Sequence, residues 1–162
     1  MISRKELHKA QSASILIAMV YIELFTHLTQ KYDSHAVEVK LRTMGVNIAK
    51  SYYEYYIPSK STISGTIKEL AEKLAGMKHI RLQKTEDGFT YTSSTCPLCQ
   101  PNIEIEGPKF CIPVCVILET FLNLIFTNFP WKFPYTEAIG TVTKSISSGD
   151  DVCEYHFRLL QR

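Results

Sequence analysis

Five cysteines, the first of them Cys96, are the residues of this 162-residue chain whose spacing could do chemistry. Cys96-Pro-Leu-Cys99 is a close pair, Cys111 and Cys115 follow together, and Cys153 stands apart near the end of the sequence. A Cys-x-x-Cys turn offers two thiolates from one loop at little entropic cost, and a later pair with a distant partner completes a tetrahedral zinc site. The spacing predicts one structural Zn²⁺ held by Cys96, Cys99, Cys115 and Cys153, with Cys111 as the substitute ligand. Buried apolar thiols are the bland alternative. An odd cysteine count and the lack of a secretory segment stand against a disulfide framework.

Other chemistry finds little support. The histidines His8, His27, His35, His79 and His156 are scattered, and no His-Glu-x-x-His helix, Gly-x-Ser-x-Gly elbow, Walker loop or dinucleotide turn is present. A site of four thiolates is closed to water and substrate, which marks structural zinc rather than catalysis. The expectation is a protein that is not an enzyme. A formal net charge of +2 from intermixed charges gives no basic face for nucleic acid.

The elements that must position these thiols are helices first and strands later. With 45% hydrophobic residues the chain can bury a real core, and it reads as one domain over 1–162. A helix is expected from Leu7 to Gln30, apolar on every side between Ile15 and Ile22. That stretch is too short to cross a bilayer, so the chain reads as soluble and intracellular, cytoplasmic or at most peripheral at membranes. A second helix covers Ser34 to Tyr56, with Val37, Leu41, Met44 and Ile48 facing the core and Gly45 marking a close helix crossing. A third opens on a Thr66–Glu69 capping box, carries Ile67, Leu70 and Leu74 on one stripe, and stops at Gly76.

The period then changes to two. Ile80 and Leu82 lead to an Asp87-Gly88 turn, and Phe89 and Tyr91 return toward Cys96. Pro113 begins an apolar helix with Cys115 in its first turn, where the helix N-terminus favours an anion. Two strands finish the chain, one over Tyr135 to Ile146 and one that points Cys153, Tyr155, Phe157 and Leu159 to the same face. The fold class is α+β: N-terminal helices packed on one face of an antiparallel sheet of about four strands, with a buried helix inserted between two hairpins.

Two sets of short motifs carry a resemblance over nearly the whole chain. Glu23-Leu24-Phe25 with Met44-Gly45-Val46-Asn47-Ile48 resembles the helical half of Bet-three-type small subunits of the transport protein particle (TRAPP), a vesicle-tethering complex. Pro113-Val114-Cys115 before a long apolar helix, and Gly149-Asp150-x-x-Cys153 before the last strand, resemble 4-vinyl reductase domains of the same superfamily. An archaeal protein between the two branches would fit both sets. The resemblance implies zinc ligands at Cys115 and Cys153. Two further ligands of those domains, a Glu and a Cys, fall here on Val142 and Ser145, a departure for which Cys96 and Cys99 offer a replacement pair. It also implies an acylated cysteine in the loop after the second helix, and 57–66 contains no cysteine.

Two functions follow. One is a dimeric, zinc-containing TRAPP-like assembly module of the trafficking type, a homodimer or a heterodimer with a related subunit. Its interface is expected on Ile15, Ile17, Met19, Val20, Ile22 and Gly45, because a helix apolar all round must be covered on more than one face. The other is a sensor-type module binding a hydrocarbon, phenolic or acyl ligand in a pocket lined by Phe121, Leu122 and Ile125.

Overall fold

A computed structural model describes residues 20–73, 76–77, 79–99 and 107–162. Ile15, Ile17 and Met19, expected at an interface, lie outside the described residues, as does Leu74.

Four helices and four strands form the described fold. Helix α1 covers 20–31. Helix α2 (Ser34–Tyr53) starts at Asp33, whose side chain caps it by accepting from the Ala36 amide. The buried residues of α2 are Val37, Leu41, Gly45 and Ala49, a strict spacing of four. Of the expected stripe, Met44 is half-buried and packs on the edge of the core, and Ile48 is half-buried, because Gly45 and Ala49 take the fully buried positions. A Cβ on Gly45 would stand 2.8 Å from the Pro113 carbonyl oxygen and 2.8 Å from Val116 Cβ. The close approach expected at Gly45 is therefore spent inside the chain, against the helix that contains Pro113 and Val116, and not on a partner.

Helix α3 (Ile63–Lys73) begins three residues before the expected Thr66. Thr62 Oγ1 accepts from the Gly65 amide at 3.2 Å, so Thr62 performs the capping and Thr66 and Glu69 are free for other bonds. Its end conforms to expectation: Gly76 has φ +62° and the Met77 amide donates to the Ala71 carbonyl at 3.0 Å.

Strands β1 (Ile80–Lys84), β2 (Gly88–Ser93), β3 (Tyr135–Lys144) and β4 (Cys153–Gln161) form one antiparallel sheet in the order β1-β2-β4-β3. The last strand thus lies inside the sheet, pairing Phe157 with both Phe89 and Gly140. Helix α4 (Ile112–Asn128) lies between the sheet and α2, which is why it is apolar on most sides. Phe121, Leu122, Phe126, Tyr91, Tyr155 and Phe157 are buried between these layers. Each ring or aliphatic group removed from water contributes about 1.5–3 kcal/mol. Tyr21 and Phe25 of α1 close on Phe110 with ring centroids at 4.5 and 4.8 Å, and Tyr21 donates to the Phe110 carbonyl. The first helix therefore clamps the segment that leads into α4.

The α+β architecture expected from the sequence is the one observed. No described helix is long and apolar enough to cross a membrane.

Candidate metal centre

Three structural junctions meet at one end of the sheet. The β2 strand ends at Ser93, opposite Cys153, the first residue of β4. The chain beyond β2 brings Cys96 and Cys99 over the same point, and Cys111 arrives as the N-cap of α4. The sulfurs of Cys96, Cys99, Cys111 and Cys153 all lie within 4.8 Å of one another. Cys153 and Cys99 stand at 3.5 Å. A tetrahedron of zinc–sulfur bonds at about 2.3 Å has edges of about 3.8 Å, so these four donors fit a metal ion of that size with small side-chain adjustments.

Cys115 is not among them. Its sulfur is buried against Gly140 and Glu119, one helical turn away from Cys111. The expected ligand set is corrected at this position, with the substitute Cys111 in place of Cys115. The reason is where α4 begins. Pro113 falls in its first turn, which leaves Cys111 outside the helix at the cap, while Cys115 is carried round to the face that packs on β3. Burial, followed by the Glu119 carboxylate, pushes the Cys115 thiol well above its ordinary range, so it is an inert core group.

Within the cluster the thiols cannot all ionise. Hydrogen bonds from Cys111 and Cys153 hold Cys99 far toward thiolate, whereas bonding to Cys153, then Cys96 and Cys99, holds Cys111 protonated. A cation is the natural replacement for those shared protons, because it lets every sulfur bind as thiolate. Polar groups already surround the sulfurs. Ser145 Oγ lies 3.5 Å from Cys99 Sγ and 3.6 Å from Cys111 Sγ, Tyr155 Oη lies 3.7 Å from Cys96 Sγ, and the Ile146 amide donates to Cys153 Sγ at 3.5 Å. Such groups orient ligands and offset the negative charge of a thiolate set. Asp150 fixes the turn that supplies them by accepting from the Ser145 amide at 2.8 Å. A cleft of about 580 Å³ lined by Thr95, Cys96, Cys99, Ile146 and Asp150 gives access from one side.

Ser145, matched above to the place of a ligand cysteine, lies beside the thiols without being one of the four sulfurs, and Tyr155 reaches them from the face of β4 on which it was expected with Cys153. The other expected residues fall elsewhere. Phe121, Leu122 and Ile125 are buried in the core, with Phe121 edge-on to Tyr53 at 5.6 Å. Val20 is exposed and Ile22 half-buried on α1.

No family model matches the chain, and no curated protein matches it in sequence. Among solved structures it is similar to a trafficking protein particle complex subunit 3 from Naegleria fowleri, covalently bound to palmitic acid. The TM-score is 0.69 at 16% identity, over 94% of this chain and 99% of that one. The likeness establishes a shared fold.

Proposed function

We propose that this chain is a non-catalytic assembly subunit of the trafficking-particle type, which works by presenting rigid surfaces to other protein chains. The observation that carries this reading is the likeness to a particle subunit over nearly the full length of both chains. A structural Zn²⁺ on Cys96, Cys99, Cys111 and Cys153 joins the chain beyond β2, the start of α4 and the start of β4. Zinc supplies no turnover there. It ties three segments together, and its binding free energy becomes folding free energy. Four thiolates leave no position for water or substrate, which supports a structural role. Reduced thiols and zinc both suit the cytoplasm.

The subunit acts as a dimer with itself or with a relative, built on its first two helices. Val20, Leu24 and Val39 support this, being large apolar groups exposed on α1 and α2. Because Gly45 faces α4, the interface uses the opposite side of α2. Native mass spectrometry with light scattering tests both parts. The expected result is about twice the 18.5 kDa chain mass with one zinc per chain. A stable monomer at micromolar concentration overturns the dimer, and metal-free protein from chelator-free preparation overturns the zinc.

A second reading, ligand binding, has one observation in its favour: the similar subunit carries palmitic acid. Residues 57–66 offer no thiol to an acyl group, so a ligand here is held without a covalent bond, against Phe121, Leu122 and Ile125. Organic extraction of purified protein followed by mass spectrometry tests it. No co-purifying acyl or aromatic compound, and no stabilisation by fatty acids, leaves a fully packed core.

A further inference from the structure

The four clustered sulfurs are not equally protected. Cys111 and Cys153 have no exposure, whereas Cys96 and Cys99 retain 9% and 7% and line the open cleft with Ser94, Thr95 and Asp151. A small oxidant entering from that cleft meets Cys96 and Cys99 first. Cys99 on the cleft and Cys153 behind it stand at 3.5 Å. Bonded sulfurs stand at about 2.05 Å, so a movement of about 1.5 Å would close this pair. All five cysteines are free thiols, so nothing else engages either sulfur covalently. We propose that the centre is a peroxide-sensitive switch: oxidation of Cys99, followed by a disulfide between Cys99 and Cys153, expels the metal and frees Cys111 at the start of α4. The inference rests on the zinc reading above and adds its regulation.

The chemistry balances on the sulfurs of this chain and one molecule of hydrogen peroxide. The Cys99 sulfur attacks a peroxide oxygen; an S–O bond forms, the O–O bond breaks, and hydroxide leaves to take a proton from solvent. The Cys153 sulfur then attacks the Cys99 sulfenic sulfur. An S–S bond forms, the S–O bond breaks, and the second hydroxide is protonated in turn. Cys99 and Cys153 together lose two electrons, and the peroxide becomes two waters. Cys96 and Cys111 take up one proton each from solvent and remain thiols, too few and too weak as ligands to hold the ion. The new bond still joins the chain beyond β2 to the start of β4, so that end of the sheet stays tied. What is released is the α4 junction. Cys111 is its N-cap, and Phe110 beside it is the residue that Tyr21 and Phe25 of α1 grip. Oxidation therefore acts on the seat of α1. Disulfides in reducing compartments are usually transient and sensing, which is the use inferred here.

The full chain, its zinc measured first by elemental analysis, is treated with hydrogen peroxide beside a zinc-binding dye. Loss of the single zinc per chain is expected, with a mass lower by two hydrogens and a cross-linked peptide pair containing Cys99 and Cys153. A thiol reductant with added zinc should restore both mass and metal. Hydrogen exchange of the oxidised protein should rise in α1 and in 107–112 and stay unchanged in β3. Cys115→Ala, which leaves the cluster intact, should lose zinc as the parent does; slower loss there would bring Cys115 into the reaction and overturn the assigned pair. Zinc-free protein before any peroxide overturns the zinc reading and the switch with it. Where zinc is present, the switch alone is overturned by metal retained under peroxide, by a Cys96–Cys99 disulfide, or by sulfinic acids without a cross-link. Unchanged exchange in α1 overturns the release of the α4 junction.

Discussion

Glu69 and the four-cysteine cluster are both buried acidic groups that tie a loop to a helix, and their surroundings differ in one respect. Around Glu69 the donors are complete. Tyr56 Oη donates at 2.5 Å, the Ser59 amide and hydroxyl at 3.0 Å, the Lys60 amide at 3.2 Å, and Lys73 Nζ stands at 3.5 Å. Burial alone would raise this carboxyl, yet the bond from Tyr56, then those from Ser59 and Lys60, hold it down at about 2. Around the cysteines the donors are neutral groups, Ser145, Tyr155 and the Ile146 amide, and the thiols compete for one another's protons. A buried acid whose partners are all supplied by the chain is structural by itself. A buried acidic set without a countercharge is a place prepared for a cation.

That contrast can be broken most forcefully at the thiols. Cys153→Ser and Cys111→Ser should each lower the melting temperature by more than about 10 °C and abolish stoichiometric zinc. Cys115→Ala should move it by only about 2–4 °C with zinc retained, since it removes one small buried group. Elemental analysis beside thermal melts checks this, and zinc lost with Cys115 but kept without Cys111 would reverse the ligand assignment.

Glu69 comes next. Glu69→Ala strands the donors of Tyr56, Ser59 and Lys60, at a cost of about 2–3 kcal/mol by denaturant unfolding. The sign of the pH effect follows from the folded value lying below the ordinary 4.5. The stabilisation from ionised Glu69 is complete above 4.5 and is lost as pH falls from there toward about 2. The stability gap between the parent and Glu69→Gln should narrow across that window. A gap that stays constant with pH would show that the charge of Glu69 is irrelevant.

The smallest effect is expected where neither buried acid is touched. Gly45→Ala places a methyl 2.8 Å from the Pro113 carbonyl oxygen, so α2 and α4 must separate. The cost of about 1–3 kcal/mol for overpacking is partly offset by about 1 kcal/mol of helix propensity. Denaturant unfolding should show a small net loss with zinc content and solution mass unchanged. A change in solution mass would return Gly45 to an interface between chains.

Much of this was legible in the residues. The Asp87-Gly88 turn, the alternation along Phe89–Tyr91 and Cys153–Phe157, and Pro113 at a helix start are local signals, and each element appears where they place it. The failures came where a tertiary contact overrides a local pattern. Met44 and Ile48 are the greasier residues of α2, but the helix turns Gly45 and Ala49 inward because only small groups allow α4 so close. Thr66 and Glu69 have the spacing of a capping box, yet Glu69 serves the Ser59–Lys60 loop, a partner no local window reveals. Cys111 and Cys115 both suit a ligand by spacing. The choice between them depends on where α4 is cut, and helix boundaries shift by a residue or two in any sequence reading.

The strand order carries a consequence for biosynthesis. Since β4 lies between β2 and β3, the sheet cannot close while the chain is emerging from a ribosome until residues beyond Cys153 are free. The helices and the β1–β2 hairpin must wait with apolar faces open, a period in which nascent chains depend on chaperones. Cys153 is also the last of the four clustered sulfurs to be made. Metal capture would therefore coincide with insertion of the final strand, and zinc supply would set how quickly a newly made chain leaves that exposed state.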